Sequence, residues 1–256
     1  MPIDHNMPAA DYHAVDAISS TQLKDVCKGG VALWRYNQEH PFEETAAMTL
    51  GELVHLLCLE PHRIDDFAVM PKFSGKGMKQ RKADWLTEHE GKLVYPAKMV
   101  KDAQYCLDSV MSVPSAIQLL AGKHEVSAFC KLPEFDVKAK ARIDVAGNGW
   151  LADVKTCANS SLYKFKNAIR DLHYDVQGAF YLDVWAVVAK LYEHFVFVSV
   201  QTSKPFTVGL YELSQYDLDI ARDKWHVAIQ QIQDYKATGV MPPNCHTDKV
   251  EIISVA

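Results

Sequence analysis

The sequence predicts an α/β fold, one domain with a mainly helical first part and a sheet-containing remainder, and three observations support it. Apolar residues recur at helical spacing up to about residue 112, the period changes to two from Glu125, and strand and helix patterns alternate from there on. Ser19 or Ser20 caps a helix over 21–36. A second runs over 43–59 and is stopped by Pro61, and a third runs over 97–112 and ends before Pro114. Residues 126–132, 135–145 and 150–156 read as a three-stranded antiparallel meander. In its middle strand Val137, Ala139, Ala141 and Ile143 alternate with Lys138, Lys140, Arg142 and Asp144, so one face is apolar and the other basic with an acid at its end. Helices follow over 160–171 and 173–191, strands over 195–200 and 206–213, and a last helix over 214–236, before Pro242-Pro243 opens a short tail. Without an internal repeat, a low-complexity linker or a break in composition, 1–256 reads as one domain.

At 256 residues and 48% hydrophobic, the chain can bury a substantial core. Its six cysteines (27, 58, 106, 130, 157, 245) show neither CxxC nor CxxH spacing, so they are expected reduced and packed. No run reaches the roughly 18 apolar residues that span a bilayer, and 1–13 is polar, so a cytoplasmic protein without membrane contact is expected. A net charge of −5 argues against coating nucleic acid by bulk attraction, although local clustering can override it. Residues 71–83 carry Lys72, Lys76, Lys79, Arg81 and Lys82 with no acid, interleaved with Ser74, Gly75 and Gly77. That segment reads as a mobile basic loop, for which a phosphate contact through Lys76 and Lys79 competes with plain solvated surface.

Chemistry concentrates around Asn148-Gly149, a strong hairpin signal. A two-residue loop pairs 147 with 150, 146 with 151, 145 with 152 and 144 with 153, so Asp144 faces Asp153 and Arg142 faces Lys155. Like charges directly opposite on a sheet are destabilising, and a chain that places two carboxylates there is expected to hold a cation between them. The bland alternative is a surface hairpin with solvated charges, and three further features weigh against it. Glu125, at the start of the first meander strand, can add a third carboxylate. His55 lies beside the buried stripe Leu50, Leu53, Val54 and Leu57, where a lone histidine is more often a satisfied core residue, and Gly51 one turn earlier is what would allow a ligand or backbone to approach. Tyr174, Gln177 and Tyr181 share one helix face, and the polar Gln177 between two tyrosines points to a groove-lining face over a purely packed one.

Taken in order, Gly51-x-x-x-His55, Glu125, Asp144, Asp153-Val154-Lys155 and Gln177-x-x-x-Tyr181 resemble the PD-(D/E)XK nuclease superfamily in its RecB-like branch. Within it the sequence is most similar to RecE-type exonucleases (exodeoxyribonuclease VIII) of phage and prophage recombination. The likeness is strongest in 140–144, 152–156 and 173–181, and covers most of the chain after Ser19. One departure is that no Pro precedes Asp144. The resemblance implies a restriction-endonuclease-like core, a mixed central sheet flanked by helices over 116–256, after a helical part over 1–115.

The resemblance further implies that His55, Asp144, Asp153 and the Val154 carbonyl hold a divalent ion, Mg²⁺ with Mn²⁺ as substitute, and that Glu125 serves a second. Asp144, Asp153, Lys155 and Glu125 form the catalytic set, with Lys155 orienting or deprotonating the attacking water. Arg142, Tyr174, Gln177 and Tyr181 are expected on DNA, and Ser20 and Arg35 in a 5′-end pocket. The implied activity is 5′-to-3′ degradation of linear duplex DNA to 5′-mononucleotides. A closed homo-oligomeric ring (trimer or tetramer) would encircle the DNA and pass the 3′ overhang to a RecT-like single-strand annealing partner. Rival readings are a sequence- or structure-specific endonuclease of the same fold, and a catalytically silent DNA-binding scaffold. The second is disfavoured because every carboxylate and the lysine of the motif are present.

Overall fold

The structure is a computed structural model and describes residues 2–40 and 43–242. Pro243, the rest of the expected tail and Cys245 lie outside the described residues. The first part contains β1 (Ile3–Asp4), α1 (Ala9–Ala14), α2 (Ser20–Glu39), α3 (Ala46–Leu59), β2 (Phe67–Met70), α4 (Met78–Glu88), β3 (Leu93–Pro96), α5 (Ala97–Met111) and α6 (Pro114–Leu120). The second contains β4 (Lys123–Leu132), β5 (Val137–Ala146), β6 (Trp150–Cys157), α7 (Leu162–Asp171), α8 (Tyr174–Val188), β7 (His194–Gln201), β8 (Val208–Glu212) and α9 (Gln215–Thr238).

The large sheet has the order β1-β4-β5-β6-β7-β8. Strands β4, β5 and β6 form the expected antiparallel meander, β7 runs parallel to β6, and β8 returns antiparallel. A parallel neighbour requires a crossover, and α7 and α8 supply it. The sheet is covered on both sides, as its long apolar strands demand. One core packs α2, α8 and α9 on a face carrying Ile143, Leu151, Phe195 and Phe197. The other packs α3, α5 and α6 on Val145, Ala152, Val154 and Val198. The sequence therefore predicted the mixed sheet flanked by helices correctly.

Several local expectations need correction. Short elements escaped the periodicity argument: β1, α1, the parallel pair β2–β3, and α6. Residues 71–83 are not loop throughout, because Met78 starts a helix in which Lys79, Gln80, Arg81, Lys82 and Ala83 all favour helix. The interleaved glycines masked that preference, and both, Gly75 and Gly77, have the positive φ of the preceding turn (77° each). Helix α3 starts at Ala46 rather than 43, where the Thr45 hydroxyl accepts from the Met48 N–H at 3.3 Å. Ser19 stands at the start of α2, but its side chain makes no capping bond. Strand β5 starts at Val137, after a turn with Asp136 at φ 56°, and α8 begins at Tyr174 because His173 is left-handed (φ 52°).

The approach of α8 to the sheet depends on Gly178. A Cβ there would lie 2.7 Å from Leu213 Cδ1 and 2.9 Å from Phe195 Cδ1, both in the core. Replacing Gly178 by Val should lower the urea midpoint, by about 1–3 kcal/mol of unfolding free energy for an overpacked core. An unchanged midpoint would show that α8 can move off β7 freely.

Candidate active site

The site forms where the meander opens. Hairpin pairing holds at Val145–Ala152 and Ala146–Leu151 and then stops, so Asp144 and Asp153 are not a ladder pair as expected. The Val154 N–H instead donates to Asp144 Oδ2 at 2.8 Å, so a side chain replaces the neighbouring backbone as acceptor. On the other edge of β5, His124 pairs with Val145 and Val126 with Ile143, while Glu125 and Asp144 drop out of the ladder between them. Glu125 has φ 50°, a left-handed backbone that costs about 1–3 kcal/mol for a residue with a side chain. Ile143 packs in the first core and Val145 in the second, so the strand's alternation is reset at Asp144. The interruption aims three carboxylates from adjacent strands at one region.

His55 reaches it from α3. Its Nε2 lies 2.6 Å from the Val154 carbonyl, to which it must donate, and its Nδ1 lies 3.5 Å from Asp144 Oδ2. Gly51, one turn earlier, lets α3 close on β6: a Cβ would stand 3.1 Å from Thr156 Oγ1. The close approach expected at Gly51 is therefore made by a threonine side chain.

A cleft of about 500 Å³ opens over these groups and is also lined by Arg142, Lys155, Tyr174, Tyr95 and Arg63. Lys155 pairs with Asp153 Oδ2 at 2.6 Å and lies over the Tyr174 ring, 5.0 Å from its centroid. Gln177 is buried and donates to Asp153 Oδ1 at 2.6 Å, so both oxygens of that carboxylate are held by the chain. Gln177 thus orients Asp153 and does not line the groove as expected.

Electrostatics sets the states of these groups. Burial and the neighbouring Asp153 charge push the Asp144 carboxyl up to about 7, against the pull of His55 and Lys155. Burial opposes charge on Lys155 as well, but Asp153 and Asp144 outweigh it and raise its pKa above the ordinary lysine value. The chain's own groups therefore keep Lys155 protonated, the opposite of the effect a nearby cation would have. His55, Glu125 and Asp144 offer ligand atoms within 4.8 Å of one another. A buried carboxylate raised by its neighbour, beside an imidazole and a second acid, fits a divalent cation. Asp153 stands outside that trio, although its charge acts on Asp144.

Other expected site residues make contacts different from those expected, and several lie outside the cleft. Arg142 does not face Lys155: it pairs with Glu125 at 2.6 Å and donates to the Met7 carbonyl and the Ser127 hydroxyl, because it lies across from Ser127 on β4. Tyr181 and Ser20 are both buried, and Tyr181 packs in the first core, so neither faces the cleft. Arg35 is exposed near the end of α2, held by Glu39 and the Tyr235 hydroxyl, and does not line the cleft. Lys76 and Lys79 are exposed outside the cleft.

Lys24 was missed. Its Nζ lies 3.4 Å from Gln177 Oε1 and 5.7 Å from the Tyr174 ring centroid, so the tyrosine stands between two ammonium groups. Burial and Lys155 push its pKa down to about 8, with Asp153 and Asp25 pulling the other way. A lysine on a helix with aspartate next in sequence reads as solvent-facing, and only the packing of α2 on α8 reveals it.

Residues 19–253 match the family model described as a PDDEXK-like domain of unknown function (DUF3799). A solved structure from Eubacterium rectale, named "Putative exonuclease", superposes with a TM-score of 0.67 at 16% identity, covering 98% of this chain and 96% of that one. At that identity the likeness is one of fold. No curated protein matches the chain.

Two outcomes follow from this geometry. Millimolar Mg²⁺ or Mn²⁺ should raise the melting temperature, equivalent to about 2.7 kcal/mol at a hundredfold excess over the dissociation constant. Asp144→Asn, which relieves the repulsion with Asp153 but weakens the donor set, should melt higher than the wild type without metal and lose the metal-dependent rise. A metal-dependent rise of full size in that variant would remove Asp144 from the cation site. For Lys24, the unfolded chain binds a proton between pH 8 and 10.5 that the folded chain does not, so stability should increase with pH across that window. Urea titrations of Lys24→Met should show a flatter profile there, with added stability at pH 7 on the order of 1–3 kcal/mol.

Proposed function

The chain belongs to this PDDEXK-like family, and on that premise we propose that it is a divalent-metal-dependent exodeoxyribonuclease that degrades linear duplex DNA from its 5′ ends. Family and fold support a nuclease. The observation that carries the reading furthest is the convergence of Glu125, Asp144, Asp153, His55 and Lys155 at one break in the sheet, beneath an open cleft.

His55, Glu125 and Asp144 would hold Mg²⁺, for which Mn²⁺ substitutes, with the Val154 carbonyl and Asp153 beside them. A bound divalent ion supplies a water of lowered pKa and neutralises charge on the phosphoryl oxygens. The remaining work belongs to the chain. Lys155, held charged by its two aspartates, orients the attacking water and faces the phosphate. Gln177 fixes the Asp153 carboxylate so that neither it nor Lys155 rotates away. Arg142 and Tyr174 form cleft wall against which a strand can lie. In-line attack on the phosphodiester leaves a 5′-phosphate and a 3′-hydroxyl, and most of the rate comes from preorganised charge.

Direction, assembly and partner belong to the same proposal and rest on the RecE-like sequence pattern. The chain removes 5′-mononucleotides, leaves 3′ overhangs for a RecT-like annealing protein, and works as a trimeric or tetrameric ring. A ring is consistent with a net charge of −5, since bases can line its channel while acids face solvent.

The test uses purified protein, Mg²⁺, linear duplex labelled at the 5′ or 3′ end, a covalently closed circle, and an Asp153→Ala control. Early release of 5′-labelled mononucleotides, an intact circle and at least a thousandfold loss in the control are expected. Cutting of the circle would convert the reading to an endonuclease, and absence of metal-dependent cleavage would leave a scaffold.

A further inference from the structure

A concentration of positive charge lies outside the cleft, in the excursion between β2 and β3. Lys72, Lys76, Lys79 and Lys82 are exposed, and among the described residues none has a carboxylate within ion-pair distance. Asp84, the next acid along α4, accepts from Gln80 at 2.7 Å and pairs with none of these lysines.

A solvated charge run needs no internal order, but this one has it. Arg81 donates to the Ser74 and Lys76 carbonyls at 2.5 and 3.0 Å, clasping the loop against α4. Phe73 meets Trp85 edge-on, which closes the same loop from the other side. Lys76 is thereby fixed relative to Lys79 and Lys82, which lie one turn apart on α4. Helix α4 itself has no buried residue, so its order serves no core. The arm is rooted at the cleft: it leaves from β2 and returns through β3, whose Leu93 and Tyr95 line the catalytic wall.

We propose that this arm holds the sugar-phosphate backbone of duplex DNA just outside the cleft, and that it contributes to binding and retention of the substrate but not to the chemical step. Charge complementarity identifies the occupant: a fixed cluster of cations on a chain of net negative charge suits a polyanion approaching from one side. The proposal rests on the nuclease reading for the substrate's identity.

The test compares the wild-type chain with K72Q/K76Q/K79Q/K82Q. Duplex binding is followed by fluorescence anisotropy across a salt series in EDTA, and hydrolysis kinetics with Mg²⁺. The quadruple variant should melt like the wild type, bind with a log Kd against log salt slope shallower by about 3 to 4 if each lysine meets one phosphate, and show KM raised tenfold or more with kcat within twofold. The matching Lys→Arg variant should restore slope and KM. Unchanged slope and KM in an active quadruple variant, or a fall confined to kcat, would overturn the proposal and leave the nuclease reading intact. A wild type that binds duplex through the arm but cleaves nothing would overturn the nuclease reading alone, and one that binds no duplex would overturn both.

Discussion

Two aspartates buried on neighbouring strands set the terms for everything around them. Carboxylates in a low-dielectric interior repel each other and resist ionisation, so a fold that keeps Asp144 and Asp153 there must answer each oxygen with a donor or a positive charge. The Val154 amide, Gln177, Lys155 and His55 are those answers, and each comes from a different constraint of the fold. The amide is free because the β5–β6 ladder stops one pair early. Gln177 is close because Gly178 lets α8 settle on β7. The remaining deficit is left to a cation.

The same economy explains the irregular backbone. Glu125 carries a left-handed φ near the start of β4, and the apolar alternation of β5 resets at Asp144. Ladder breaks of this kind re-aim side chains and recur beside active sites. Here the three acids form one row across three strands, and the break frees that row from ladder pairing, so that the Val154 N–H donates to the Asp144 carboxylate instead of to a backbone carbonyl.

Much of this was legible in the sequence. The meander, its hairpin register near the turn and the helices packing on it follow from periodicity, and residue chemistry marks Asp144, Asp153 and Lys155, while His55 and Glu125 stand out only with the family resemblance. What escaped has physical causes. Register was extrapolated past the point where the ladder stops, which misplaced Arg142 opposite Lys155 when its partner is Glu125. Helical spacing put Tyr174, Gln177 and Tyr181 on one face but could not say that Tyr181 points into the core while Gln177 meets Asp153. Ser20 and Arg35 were assigned without a contact to weigh. Lys24, whose role arises from α2 packing on α8, leaves no mark in a one-dimensional pattern.

The first 115 residues are not an accessory to the rest, and this bears on how the protein comes to be folded. His55 meets Val154 across 99 residues of sequence, and Lys24 meets Gln177 across 153. Closing loops of that length carries a large entropic cost, and non-local contacts slow folding. A meander paired without α3 lacks the imidazole over the acids. Until α3 docks, the aspartates face each other without their full complement of partners. A cation that needs His55 as well as Asp144 would therefore be held fully only once α3 has docked, and would favour the completed fold over half-folded chains.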